Sequence, residues 1–207
     1  METKKISAAE YLKHCYTLPP NLLELPLPDE DFVRDWNNTA GNAGTFLSKK
    51  LGVAFSDFKW YNPTEITIFF AETLGGKLPV IATQNHKDFL NVEAILNGRN
   101  KLLELPLTVN AFTISAKNKN IRGQRLILLN RAPYSNIPAK RLNLRDAEWL
   151  ELSHILRLRH ECAHYETLRI FGSMKNHALD EILADATGQL AAFGNFSSAR
   201  SFRVRLR

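Results

Sequence analysis

Two histidines and a glutamate at helical spacing form the most chemically suggestive stretch of the chain. Residues 160–164 read His-Glu-Cys-Ala-His. Positions i and i+4 of an α-helix share a face, so His160 and His164 can direct two imidazoles to one point. Two imidazoles make two corners of a tetrahedral zinc site. Glu161 lies beside the first histidine, where a carboxylate can take a proton from a metal-bound water.

A catalytic zinc site also needs a third protein ligand and an open position for water. Glu181 is the best candidate for this ligand, because it shares a helix stripe with Asp185 one turn later. Asp185 is then placed to accept a hydrogen bond from the far nitrogen of a zinc-binding histidine. Asp180 is the rival third ligand. An exposed acidic helix face is the alternative interpretation of Glu181 and Asp185.

The elements that position these residues are two helical patterns joined by a short turn. Residues 146–171 form the longer one, which Gly172 should end in a left-handed cap. The second runs from about residue 178 to 193, after a turn at 173–177 in which Ser173 or Asn176 is a plausible N-cap. Such a short connection makes the helices antiparallel neighbours. This arrangement is expected to place Glu181, in the first turn of the second helix, near the two histidines.

The helix faces agree with this arrangement. An inward-facing stripe on the first helix ends at the motif and comprises Trp149, Leu152, Leu156, His160 and Ala163. Gly188 lies on the same face of the second helix as Glu181, where it would permit close approach. A merely tolerated helix glycine is the plainer interpretation of Gly188.

The two motifs together resemble the gluzincin zinc metallopeptidases, of which thermolysin is a member. The resemblance is carried by His-Glu-x-x-His at 160–164 and by Glu181-Ile-Leu-Ala-Asp185, and it covers about residues 146–193. It implies zinc on His160, His164 and Glu181, with Glu161 as general base and Asp185 behind a ligand. It implies little about the first hundred residues.

Three further residue groups bear on substrate binding. The run Asn110-Ala111-Phe112 is similar to one on the sheet edge along which gluzincins hold an extended peptide. The alternative is that Asn110 is a polar residue on the outer face of a strand. Members of the family also stabilise the oxyanion with a Tyr and a later His, whereas this chain has no histidine after His177. Tyr134, Tyr165 or an arginine are the available substitutes.

Strand signals occupy the middle of the chain. Strands are predicted at 65–72 and 78–83, joined as a hairpin at Gly75-Gly76, and at 105–115 and 125–129, joined as a second hairpin. Residues 86–99 are a short helix or an irregular crossover. The predicted fold class is therefore α+β and zincin-like, with a small, mostly antiparallel sheet packed on the active-site helix and an antiparallel second helix after it.

The N-terminal part is predicted to be helical and extended. Ser7 and Glu10 form a capping box for a helix at 7–17. An extended connector at 18–31 and a partly helical stretch at 29–52 follow it. The predicted domains are a region 1–60 and a metallopeptidase domain 61–207, or one continuous domain 1–195 with a basic tail 196–207.

Composition restricts the class of protein. The chain has 207 residues, a formal net charge of +6, 44% hydrophobic residues and two cysteines. We expect no disulfide framework, no secretory signal and no membrane segment, and a cytoplasmic location. The arginine-rich tail is read as a solvated end, so nucleic-acid binding is not expected.

Three functional hypotheses follow. The first is an intracellular Zn²⁺-dependent metallopeptidase, endopeptidase or aminopeptidase-like, that acts on a peptide or protein substrate. The second is a non-catalytic zinc-binding regulatory module on a degenerate peptidase fold. The third is a basic nucleic-acid-binding protein in which the histidine motif is accidental.

Overall fold

One mixed sheet of four strands organises the molecule. In the computed structural model, which describes residues 7, 9–10, 23–36, 43–172 and 178–198, the strand order is β1-β2-β4-β3. The strands are β1 (Thr67–Ala71), β2 (Leu78–Thr83), β3 (Ala111–Ser115) and β4 (Arg125–Asn130). Four α-helices with defined bounds accompany them within those residues: α1 (Ala43–Leu51), α2 (His86–Leu96), α3 (Asp146–Phe171) and α4 (Ala178–Phe193). The chain is thus α+β, as predicted.

Both predicted hairpins are confirmed, but the sheet is less antiparallel than expected. The β1–β2 and β3–β4 pairs are antiparallel, whereas the central β2–β4 pair is parallel. The connection from β2 to β4 passes through α2 and β3, which is the long crossover that parallel pairing requires. The parallel pair makes β3 an outer strand of the sheet.

The strand predicted at 105–115 is too long. Only Ala111–Ser115 is a strand, and the preceding residues form a turn in which the amide of Val109 donates to the carbonyl of Pro106 at 2.9 Å. Proline has no N–H to donate to a ladder, so it opposes strand structure at this point. The alternation of Leu107 and Val109 was therefore misleading.

Helices cover both faces of the sheet because the side chains of the inner strands alternate. On one face Ile81 and Leu128 pack with Phe89 of α2. On the other face Val80 and Ile127 pack with Tyr165 of α3. The sheet is thus buried between α2 and α3, and α3 holds its position against β3 and β4.

The helices that carry the histidine motif agree with the sequence. Residues 146–171 and 178–193 are helical as predicted, and Gly172 ends α3 in the left-handed region at φ 71°. The helical interpretation of 86–99 is confirmed as well, with Asn85 accepting from the amide of Lys87 at 2.8 Å as N-cap. The turn 173–177, with its predicted N-caps, lies outside the described residues.

Gly188 sets the approach of α4 to α3. A β-carbon at this position would lie 2.6 Å from the carbonyl oxygen of Leu156, well inside van der Waals contact. Any larger residue would push the helices apart at this crossing. The close approach also brings the first turn of α4 against the histidine face of α3.

The described N-terminal residues are consistent with local expectations. The amide of Glu10 donates to Ser7 Oγ at 3.1 Å and the amide of Ser7 to Glu10 Oε2 at 3.0 Å, as a capping box requires. The rest of the helix predicted at 7–17 lies outside the described residues. Residues 31–36 form a 3₁₀ helix whose Trp36 is fully buried in the α2-side core. The division into domains at residue 60 stays a prediction.

None of the helices in the described part of the chain is long and apolar enough to cross a membrane. The tail 196–207 is described only as far as Ser198.

Candidate metal centre

Three potential ligands converge where α3 meets the first turn of α4. The Nε2 atoms of His160 and His164 lie 3.1 Å apart. Glu181 approaches both, with Oε2 at 3.7 Å from His160 Nε2 and Oε1 at 3.6 Å from His164 Nε2. One donor atom from each residue fits within 4.8 Å of the others.

These distances fit a tetrahedral metal ion. Ligand atoms that lie 2.0–2.2 Å from a tetrahedral zinc are separated from one another by roughly 3.3–3.6 Å. The two Nε2 atoms lie 3.1 Å apart, and each is within 3.7 Å of a different oxygen of Glu181, whereas a set with one donor atom per residue spans up to 4.8 Å. Two imidazoles with one carboxylate are a common donor set of catalytic zinc. The side chains of His160 and His164 are 13% and 6% exposed and that of Glu181 is 34% exposed. A fourth position is therefore accessible from the Glu181 side.

His164 is oriented by a carboxylate and a hydroxyl behind it. Its Nδ1 lies 2.8 Å from Asp180 Oδ2, and the other oxygen of Asp180 accepts from the hydroxyl of Thr167 at 2.9 Å. Both partners are buried. Asp180, which the sequence offered as the rival third ligand, therefore supports His164 and directs its Nε2 toward the common point.

His160 has a comparable arrangement. Its Nδ1 lies 3.2 Å from Asp185 Oδ1, although without well-aligned hydrogen-bond geometry, and Tyr134 donates its hydroxyl to the same oxygen at 3.3 Å. Asp185 thus lies behind a histidine, at the place that the sequence suggested for it. Burial and the charge of Asp185 raise the pKa of Tyr134, so its hydroxyl is a donor throughout the neutral range.

The carboxylates also change the acidity of His160. Burial alone would lower the pKa of this imidazole, but contact with Asp185 and the charges of Glu161 and Glu181 outweigh it and raise the pKa. An imidazole must lose its proton before it binds a metal, so a cation and a proton compete for His160.

Glu161 is held by the outer strand of the sheet. The hydroxyl of Thr113 lies 2.8 Å from Glu161 Oε2 and 2.9 Å from the backbone carbonyl of Glu161, either of which can accept its proton. The residue is 8% exposed. The carboxylate is therefore fixed beside the histidines and directly under β3.

The open edge of β3 runs past this carboxylate. The amide of Asn130 donates to the carbonyl of Asn110, and the amide of Ala116 donates to the carbonyl of Gln124. The backbone N–H and C=O groups of the even-numbered residues of β3 and its ends therefore point toward β4. In an antiparallel ladder the alternate residues, Ala111, Thr113 and Ser115, direct their N–H and C=O groups away from the partner strand. An extended peptide can pair with those groups.

Two proposed substrate-binding residues are placed elsewhere than expected. Tyr165 is fully buried on the sheet-facing side of α3, where its hydroxyl donates to Glu30 at 3.1 Å and accepts from Arg169 at 2.9 Å. It shares no face with His160 because the helix turns it toward the sheet. Burial raises the pKa of Tyr165 to about 12.

The side chain of Asn110 is buried at the start of the outer strand β3. It is 2% exposed and accepts from Asn130 Nδ2 at 2.7 Å, while its own amide donates to the carbonyl of Leu107. It therefore closes the end of the β3–β4 pair and does not lie on an outer strand face. Ala111 and Tyr134 stay beside the candidate site.

Arg157 is a buried cation that the sequence did not single out. Its guanidinium donates to the carbonyls of Ala132 and Pro133 at 2.6 and 2.7 Å and lies 5.5 Å from the centre of the Tyr134 ring. Burial lowers its pKa to about 10, which leaves it charged at neutral pH. It precedes Glu161 by one helical turn, a spacing that could have identified it. Through these hydrogen bonds Arg157 stabilises the loop in which Tyr134 contacts Asp185.

Comparison with known proteins found similarity to one family, whose function is unknown. A profile described as a family of unknown function (DUF7005) matches residues 110–203, somewhat less than half of the chain. The matched stretch contains β3, β4, α3 and α4, and with them every residue of the cluster. No curated protein and no solved structure matches the chain.

Proposed function

We propose that the protein is a zinc-dependent peptidase that hydrolyses peptide bonds with Glu161 as general base. The observation that carries the proposal is the convergence of His160, His164 and Glu181 within 4.8 Å, with the Glu161 carboxylate in the same helical turn. Zinc is favoured over harder cations because two of the three donors are imidazoles.

The ligands have distinct tasks in this proposal. His160, His164 and Glu181 hold the ion, and Asp180 and Asp185 keep the imidazoles in the tautomer that leaves Nε2 free. A bound zinc supplies a Lewis acid and lowers the pKa of a coordinated water toward neutrality. The exposed side of Glu181 admits water and substrate.

Glu161 moves the proton. It accepts a proton from the attacking water as oxygen bonds to the carbonyl carbon, and returns it to the leaving amine nitrogen as the C–N bond breaks. Both products then leave with no covalent bond to the protein. Thr113 keeps the carboxylate aimed during these transfers, and β3 holds the peptide backbone above it.

The decisive comparison is between Glu161→Gln and His164→Ala. Both are assayed for zinc content by mass spectrometry of the metal, and for cleavage of a mixed peptide library read by mass spectrometry. We expect Glu161→Gln to retain wild-type zinc and lose cleavage by about 10²–10⁴-fold, the usual range for a general base. We expect His164→Ala to lose both zinc and cleavage.

Two results would overturn the proposal. One is equal trace metal in wild type and His164→Ala, which removes the metal site. The other is undiminished cleavage by Glu161→Gln, which removes the general base. Full zinc occupancy without cleavage by the wild-type protein would instead support a non-catalytic zinc-binding regulatory module.

A further inference from the structure

A second concave surface lies at the far end of β3. It is a cleft of about 580 Å³ between the C-terminal ends of α1 and α2 and the β3–β4 hairpin. Its floor is apolar and includes Leu51, Val53, Phe58 and Ile95. The volume falls within the range of about 300–1,000 Å³ that is usual for ligand sites.

The rim of this cleft is cationic. Lys117, Lys119 and Arg122 are exposed there, and none of them forms an ion pair with a carboxylate in the described part of the chain. Arg99 is the fourth cation and is paired with the buried Glu93. Asp57 is the one acidic residue among those lining the cleft. The unpaired charges therefore favour an anionic occupant.

The cations are not needed as hydrogen-bond caps of the two helices, although helix C-termini do favour nearby positive charge. The side-chain Nδ2 of Asn118 donates to the carbonyls of both Leu51 and Ile95 at 3.2 Å and so caps the ends of α1 and α2. Because helix C-termini and not N-termini face the cleft, a compact phosphate would find no cluster of backbone N–H groups. Long, mobile cations at a rim are better suited to carboxylates spaced along a peptide.

The cleft lies just beyond the C-terminal end of β3, on the α2 side of the sheet. The β3–β4 ladder persists to Ala116, whose amide donates to the carbonyl of Gln124 at 2.9 Å, and the next amide, of Lys117, donates to the carbonyl of Leu96 at the end of α2. At about 3.3 Å per residue, Thr113 and Lys117 are separated by roughly 13 Å along the strand. A peptide paired with β3, with its scissile bond above Thr113, would reach the rim about four residues from that bond.

We propose that this cationic cleft, defined by Lys117, Lys119 and Arg122, binds an acidic segment of the protein substrate about four residues from the bond cleaved. The role of the segment as substrate depends on the proposed peptidase function, whereas its binding does not. A single-stranded nucleic acid is a poorer fit, because such sites stack successive bases on several aromatic rings, and among the described residues that line the cleft only Phe58 is aromatic.

The test compares two triple variants in a Glu161→Gln background, which prevents cleavage. The first carries Lys117→Ser, Lys119→Ser and Arg122→Ser. The second is a matched control at exposed cations outside the cleft, Lys87→Ser, Lys140→Ser and Arg141→Ser. Fluorescence anisotropy measures binding of a labelled peptide with an acidic cluster, its Asn/Gln counterpart, and a labelled single-stranded DNA. Equal zinc content and melting temperature confirm that both variants are folded.

We expect the acidic peptide to bind the parent protein and the control variant equally, and the cleft variant about tenfold more weakly. The Asn/Gln peptide should bind all three weakly. Equal loss in both triple variants, or equal binding of the acidic and Asn/Gln peptides, would overturn the inference. Tighter, cleft-dependent binding of DNA would overturn it as well.

Binding and catalysis fail separately in this design. If the acidic peptide binds through the cleft while wild-type protein cuts nothing, the cleft is sustained and the peptidase proposal is not. If wild type cuts peptides but the acidic cluster has no influence on binding, the peptidase proposal is sustained and the cleft is not.

Discussion

At the scale of residues, each histidine of the cluster is backed by a carboxylate that itself receives a hydroxyl. Asp180 lies 2.8 Å from His164 and accepts from Thr167, and Asp185 lies 3.2 Å from His160 and accepts from Tyr134. Such outer partners fix the ring and strengthen its donor nitrogen. We therefore expect the affinity for a metal at this cluster to depend on residues that would not touch the metal.

Replacing Asp180 tests that dependence. Asp180→Ala should lower zinc affinity by about 10–100-fold, because His164 loses the group that orients it. Asp180→Asn should lose less, since its amide oxygen can still accept from Nδ1–H. Competition against a chromophoric zinc chelator measures both variants, and Asp146→Ala at the exposed start of α3 is the control. Wild-type affinity in Asp180→Ala would show that His164 needs no such support.

Thr113 offers a test of the general base. Thr113→Val removes the hydroxyl at nearly constant shape, and the loss of a hydrogen bond to a charged group, about 1.5–3 kcal/mol, should lower kcat by roughly 10–100-fold. Zinc content should not change, because Glu161 is not a ligand. Thr113→Ser restores the hydroxyl and should recover most of kcat. A reduced zinc content with unchanged kcat would contradict this role.

The sequence indicated the three residues of the cluster but not all of the residues that support them. His160 and His164 were recognisable because their spacing is local, and Glu181 because it shares a stripe with Asp185. Asp180 was weighed only as a competing ligand, since its partner Thr167 lies on another helix and no pattern joins the two. Tyr165 and Asn110 were candidate substrate contacts, and the structure places both side chains in the interior, because burial depends on the whole fold.

At the scale of elements, features that depend on neighbouring residues were predicted, whereas pairing between distant residues was not. The bounds of α3 and α4 follow from periodicity and from Gly172. The parallel pairing of β2 with β4 joins residues more than forty positions apart, such as Val80 and Ile127. Both strands have nearly unbroken apolar runs, Leu-Pro-Val-Ile-Ala in β2 and Leu-Ile-Leu-Leu in β4, which are typical of strands covered on both faces. That pattern is the sequence signal that could have indicated the parallel pair.

Gly188→Ala tests whether the approach of α4 to α3 builds the cluster. Alanine should favour an isolated helix by about 1 kcal/mol, yet its β-carbon would meet the Leu156 carbonyl at 2.6 Å. We expect net destabilisation of about 1–3 kcal/mol and weaker zinc binding, because Glu181 precedes Gly188 by two turns on α4. Thermal unfolding with and without zinc measures both effects.

The control for that change is Ala191→Gly, on the exposed side of the same helix. It should lower stability by about 1 kcal/mol through helix propensity alone and leave zinc affinity unchanged. A higher melting temperature in Gly188→Ala with normal zinc affinity would show that the contact between α3 and α4 accommodates a β-carbon at this position.

At the scale of the whole molecule, the cluster joins two helices that pack against different parts of the fold. Its histidines belong to α3, which packs on the sheet, whereas Glu181 belongs to α4, which packs mainly on α3. Glu161 is tied to β3 through Thr113. A metal bound at this junction would hold α4 against the rest of the fold, so its binding energy would contribute to global stability.

Removal of the metal should therefore lower the melting temperature of the whole chain. A ligand at 100 times its dissociation constant stabilises the native state by about 2.7 kcal/mol, and for a chain of this size that corresponds to roughly 5–11 °C. Chelation followed by titration with zinc, monitored by scanning calorimetry, measures the shift. Glu161→Gln should show the full shift, since it retains every ligand, and His164→Ala should show almost none. Equal shifts in these two variants would place the stabilising ion somewhere other than on His160, His164 and Glu181.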